Sequence, residues 1–141
     1  MKILPTQLFP AIAIVGLALI AGCGNPAMNE STANVKHITQ SDFSNEVTSA
    51  SGAVVVDFYA TWCGPCKILA PMMEAQAGLF IGKIKFLKVN VDESPDLAKT
   101  YEIQAIPTVL FFRDGKVVDR VVGLPGELDL KMRLDALTAG K

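Results

Sequence analysis

Ala53-Val54-Val55-Val56-Asp57-Phe58-Tyr59-Ala60-Thr61-Trp62-Cys63-Gly64-Pro65-Cys66 decides the architecture of this chain. Its first eight residues form an apolar run rich in β-branched side chains and broken only by Asp57. That is the pattern of a strand buried on both faces. From Pro65 to about Phe80 the pattern turns helical. Ile68, Met72, Ala75 and Leu79 recur on one stripe, and Leu69, Met73 and Phe80 widen it. Pro71 falls inside the stretch and removes a backbone donor, which predicts a kink. A doubly buried strand feeding a helix is a unit of layered α/β architecture.

Outward from that unit, strands and helices alternate. Residues 35–38 read as a short first strand, and Thr39 or Ser41 as the N-cap of a helix to about Ser49. Residues 84–91 read as the next strand. Ser94-Pro95 couples an N-cap to a first-turn proline and opens a helix to about Tyr101. Residues 108–112 and 116–122 flank Arg113-Asp114-Gly115, a hairpin signal with glycine in the turn. A last helix over about 126–138 presents Leu130, Leu134 and Leu137 on one side. The order β-α-β-α-β-α-β-β-α predicts an α/β domain with helices on both faces of its sheet.

At 141 residues the chain holds one domain and a short appendage. Thirteen Lys and Arg against 14 Asp and Glu give a net charge of −1 with no basic run, so nucleic acid is not an expected partner. Three cysteines and one histidine argue against a multi-cysteine zinc site or a disulfide-stapled miniprotein.

The appendage is N-terminal. Residues 8–22 carry no charge, only Lys2 precedes them, and Pro10 lies within. The run is short of the roughly 20 apolar residues that span a bilayer and reads as a secretory signal peptide over 1–22. Leu19-Ile20-Ala21-Gly22-Cys23 resembles a bacterial lipobox, which implies cleavage before Cys23 and lipid on its sulfur. Ordinary cleavage with a free Cys23 thiol, or an uncleaved anchor, are the other readings. Residues 23–34 are small and polar, the composition of a flexible tether, and the domain is expected over 35–141. Anchored this way, the protein sits in the bacterial envelope outside the cytoplasm, on the periplasmic side in a Gram-negative cell. Gly24 stands where an aspartate often retains such proteins at the inner membrane, which leaves the outer membrane open.

The chemistry concentrates at Cys63-Gly64-Pro65-Cys66. Two cysteines at this spacing are either half of a metal site or a redox pair. A structural zinc needs four ligands, and neither a second cysteine pair nor a nearby histidine is present, His37 being remote in sequence. The motif also falls between a buried strand and a helix N-terminus. There, unpaired N–H groups and the helix dipole favour a thiolate over a thiol. Cys63, at the helix mouth, is expected to attack. Cys66, one turn inside, is expected to be more buried and to close onto it.

Val56 to Lys67 as quoted, with Ala105-Ile106-Pro107-Thr108, Lys88-Val89-Asn90-Val91-Asp92 and Val122-Gly123, resembles the thioredoxin family over about residues 35–141. The resemblance implies a central mixed sheet flanked by helices, with Cys63 as nucleophile and Cys66 as resolving thiol, alternately bridged and open. It implies that Asp57, costly to bury as a charge, accepts the Cys66 proton, and that Lys88 tunes Asp57. A solvated strand-end aspartate and an exposed edge lysine are the competing readings. Pro107 is implied to be cis and to face the sulfurs, blocking metal binding and exposing the Ile106 backbone to an extended substrate. Trp62, Gly64, Pro65, Ile106, Pro107 and Gly123 make up the implied substrate surface. Tyr59, Thr61 and Ala105 depart from the family's usual tryptophan, acid and glycine.

Gly64-Pro65 between the cysteines is the pairing of reducing thioredoxins. The implied activity is reduction of disulfides in protein substrates by a monomer without cofactor or metal. A membrane thiol carrier would supply the electrons. An oxidase or isomerase on the same fold, or a tethered binding or holdase module with incidental cysteines, are the rivals. No segment is inserted between Cys66 and Pro107, which argues against relatives with a helical or strand-helix insertion there.

Overall fold

The computed structural model describes residues 34–140. The expected signal peptide, Cys23 and the tether up to residue 33 lie outside the described residues.

Five strands form one sheet in the order β1-β3-β2-β4-β5. They are β1 (Val35–His37), β2 (Ala53–Tyr59), β3 (Ile84–Asn90), β4 (Thr108–Arg113) and β5 (Lys116–Val122). β1, β3 and β2 run parallel, while β4 pairs antiparallel with both β2 and β5, so the sheet is mixed, as the resemblance implied. The helices are α1 (Gln40–Phe43), α2 (Gly64–Leu79), α3 (Pro95–Thr100) and α4 (Glu127–Thr138).

Strand alternation assigns the helices to faces. Val55, Phe86 and Phe111, level with one another in the register, face α2 and α4 and pack with Leu69, Met73, Leu130 and Leu134. Val54, Val56, Phe58, Leu87 and Phe112 face the other way, against Phe43 and Val47 after β1 and Leu97 and Tyr101 around α3. Asp57 shares the parity of Val55 and therefore points to the α2 side, where the cysteines are. β2 is buried on both faces, as its composition predicted.

Two expectations change. The buried stripe of α2 is Cys66, Leu69, Met73, Gln76 and Ala77, continued by Phe80; Ile68 and Leu79 are 56% and 69% exposed. α2 is apolar nearly all round, so hydropathy leaves its phase open, and the docking of Cys66 beneath β2 sets it. Pro71 lies within α2, where its missing N–H leaves one helical hydrogen bond unmade. The expected helix to Ser49 is α1 followed by a π turn, Ser44–Thr48, in which the Ser49 N–H donates to the Ser44 carbonyl at 2.8 Å.

Gly115 closes the β4–β5 hairpin with φ +76°, and a Cβ there would run into the Thr48 carbonyl. Its neighbour Asp114 exchanges two hydrogen bonds with Gly52, 2.9 Å from N–H to carbonyl and 2.8 Å from Gly52 N–H to Oδ1. The hairpin tip is thereby locked onto the start of β2.

Candidate active site

Cys63 is the N-cap of α2, with extended backbone at φ −78° and ψ 113°. Gly64 and Pro65 make the first turn, where the missing proline N–H has no intrahelical partner to lose. The Cys66 N–H donates to the Cys63 sulfur at 3.2 Å. A backbone donor of the first turn is therefore aimed at the sulfur on which negative charge would develop. The two cysteines form a disulfide, Cα atoms 5.3 Å apart. The expected contrast in burial is absent: Cys63 is 4% and Cys66 3% exposed. Bridging draws the Cys63 sulfur onto the helix mouth, where Ala60, Tyr59, Val91 and Ile106 close around the pair.

Beneath the disulfide, Asp57 and Cys66 line one cavity of about 140 Å³, with Tyr59, Thr61, Lys67 and Lys88 among its walls. Asp57 is buried and its Oδ1 has no hydrogen-bond partner. Burial pushes its pKa up to about 7, and the Lys88 ammonium pulls it partly back. Lys88 is the register partner of Asp57, on a strand paired on both sides, and it is half-buried. The edge-lysine and solvated-aspartate readings therefore fail. Lys88 Nζ lies over the Tyr59 ring, 6.0 Å from its centroid.

The second wall is the loop before β4. The Ile106–Pro107 peptide is cis and Pro107 is buried. Gly123, at φ +86°, donates its N–H to the Pro107 carbonyl at 2.8 Å, and Thr108 Oγ1 donates to the Ala105 carbonyl at 2.7 Å. Two bonds thus brace the loop, one on either side of Ile106. Trp62 is 68% exposed, and with Ile106, Val91 and Ala98 it borders an open cavity of about 310 Å³. The structure thus brings together Cys63, Cys66 and Ile106 as one cluster and Asp57, Lys88 and Cys66 as a second, while Gly123 reaches the site through Pro107.

Sequence reasoning gave no role to Asp92, whose Oδ2 accepts a 2.8 Å hydrogen bond from Trp62 Nε1. Asp92 is itself fixed by its N–H bond to Asn90 Oδ1 at 3.0 Å. The only available signal was its position just beyond the end of β3. His37 sits beside Glu93, Nε2 to Oε2 3.6 Å, and edge-on to Tyr59. Among the described residues no group of three or more His, Cys, Asp or Glu side chains converges as a metal site.

The family model for thioredoxin matches residues 34–136. A thioredoxin of Staphylococcus epidermidis is 48% identical over 98 residues, 70% of this chain and 92% of that protein. A thioredoxin of Staphylococcus aureus is 47% identical over the same length and the same shares. The matched span starts just ahead of β1 and runs into α4, taking in every strand of the sheet and both cysteines. The chain belongs to the thioredoxin family.

Proposed function

We propose that the protein is a protein-disulfide reductase, lipid-anchored through Cys23 on the outer side of a bacterial membrane. The observation that carries the catalytic part is the disulfide at the mouth of α2, over a buried aspartate in a shared cavity. The Cys63 thiolate attacks one sulfur of a substrate disulfide. A mixed disulfide forms, the substrate S–S bond breaks, and the second substrate sulfur leaves as a thiolate that takes up a proton. Cys66 then passes its proton to the Asp57 carboxylate and attacks the Cys63 sulfur. The substrate departs fully reduced, and the two electrons it gained are balanced by the Cys63–Cys66 bridge. A dithiol carrier in the membrane reopens that bridge.

Lys88 holds Asp57 closer to ionisation than burial alone allows. Among the described residues the Ile106 N–H and carbonyl have no partner within the protein, so they are available to pair with an extended substrate strand beside the sulfurs. Trp62, Gly64, Pro65, Pro107 and Gly123 shape the surface around that strand. The uncharged run over 8–22 and the Leu-Ile-Ala-Gly-Cys segment support the anchored location.

The test is reduction of insulin disulfides by the full chain with dithiothreitol as donor. Turnover is expected, with complete loss in Cys63→Ser and arrest as a covalent mixed disulfide in Cys66→Ser. Equal turnover by the Cys63→Ser variant overturns the assignment.

A further inference from the structure

The two ends of the domain differ. β1, β3 and β2 are parallel, so Asn34, where the chain enters β1, lies at the end of the sheet opposite the cysteines. α2 runs between these ends, and its 16 residues span about 24 Å. At the Asn34 end, the tight turn from α2 into β3 carries two large apolar side chains outward, Leu79 at 69% and Ile81 at 71% exposure. The Lys83 and Ile84 N–H groups both donate to the Phe80 carbonyl, at 2.9 and 3.1 Å, holding this turn in shape. Asn34, Ile81 and Lys85 line one shallow depression of about 390 Å³.

Lysines gather at the same end of the sheet. Lys36, Lys83 and Lys85 lie at the starts of β1 and β3, and the register from Ile84 through Ala53 and Arg113 brings Lys116 to the same end. The opposing carboxylates are Glu46, which pairs with Lys36 at 2.6 Å and Lys85 at 3.1 Å, Glu74, which accepts the Asn34 N–H at 2.8 Å, and Asp114 at the hairpin tip. The end that carries Trp62 exposes Asp92, Glu93 and Asp96, with Lys67 at the start of α2.

We infer that the Leu79/Ile81 turn, with Lys83 beside it and Lys116 at the same end of the sheet, is a membrane-contacting face that seats the domain on anionic lipid with its disulfide turned away from the bilayer. This rests on the anchoring reading above. The 11 peptide units from Cys23 to Asn34 reach at most about 40 Å whatever their conformation, so the Asn34 end stays within that distance of any membrane that holds Cys23. Exposed aliphatic side chains with lysines at the same end of the sheet match the apolar-anionic boundary of a lipid surface. Orientation then serves the reaction: substrates approach from the aqueous side, and the active site stays about one helix length from the lipid.

The single tryptophan makes this measurable. The full anchored chain is reconstituted in vesicles of two parts acyl-brominated phosphatidylcholine to one part phosphatidylglycerol. Native Trp62 is expected to keep its emission, whereas Ile81→Trp in a Trp62→Phe background loses half or more. Adding Lys83→Glu and Lys116→Glu, or omitting the phosphatidylglycerol, is expected to cut that quenching at least twofold. The two charge reversals should leave insulin reduction in detergent solution unchanged. Equal quenching at Trp62 and Ile81→Trp, none at Ile81→Trp, or protection of Ile81→Trp by contact with a second copy overturns the face. Mass spectrometry of the Cys23 peptide reads the anchor separately: flotation with an unacylated Cys23 overturns the lipid reading and leaves the face to the quenching result. A chain that does not float overturns both.

Discussion

Asp57 stands directly opposite Lys88 in the parallel ladder between β2 and β3, so a buried carboxyl and a half-buried ammonium face the α2 side of the sheet as neighbours. Burial and the cation push the aspartate in opposite directions, and burial prevails, leaving a pKa of about 7. A carboxyl poised there can take a proton from a thiol near neutrality and release it again.

That pKa fixes a stability signature. The folded value of about 7 exceeds the ordinary aspartate value of 3.8, so between these pH values the folded state binds more protons than the unfolded one. Asp57 therefore contributes stability below about pH 4 that is lost as pH rises to about 7. Denaturant titrations of oxidised Asp57→Asn are expected to match the parent near pH 4 and to exceed it by up to about 4 kcal/mol at pH 8. A constant difference across that range contradicts the burial argument.

Lys88→Met removes the charge that lowers the Asp57 pKa, so that pKa is expected to rise further. The pH midpoint for resolving a preformed mixed disulfide at Cys63 should move to higher pH. A slower rate with an unmoved midpoint would assign Lys88 a packing role instead.

Asp92→Ala removes the acceptor that fixes the Trp62 indole. An exposed hydrogen bond of this kind contributes about 0.5–1 kcal/mol, so KM for a protein disulfide should rise about two- to fivefold with kcat little changed. Trp62 emission, the only indole signal in the chain, should change in parallel.

Gly115→Ala places a Cβ against the Thr48 carbonyl at a backbone angle that favours glycine. A loss of at least about 2 kcal/mol in unfolding free energy is expected, with insulin reduction unaffected in the folded fraction. An unchanged denaturation midpoint would show that the hairpin tip yields freely.

Much of this architecture could be read from local chemistry. β2 announced itself by β-branched residues buried on both faces, the hairpin by Asp114-Gly115, and α4 by Leu130, Leu134 and Leu137. Asp57 stood out because a charge in such a strand needs a reason. What the sequence did not yield depends on contacts across distance. The phase of α2 follows from Cys66 docking under the sheet, not from its hydropathy. The π turn after α1 is a packing outcome with no propensity signal. Trp62 and Asp92 meet only because the ends of β2 and β3 are adjacent, and the equal burial of the cysteines reflects the bridge itself.

The most direct test of the central claim is the equilibrium of the Cys63–Cys66 couple. The full chain is poised against graded mixtures of reduced and oxidised glutathione and dithiothreitol, and its open form is counted by thiol alkylation. Half-reduction is expected near the potential that thioredoxins occupy, about −270 mV. Half-reduction near about −120 mV, the range of a strong disulfide-forming oxidant, would contradict it.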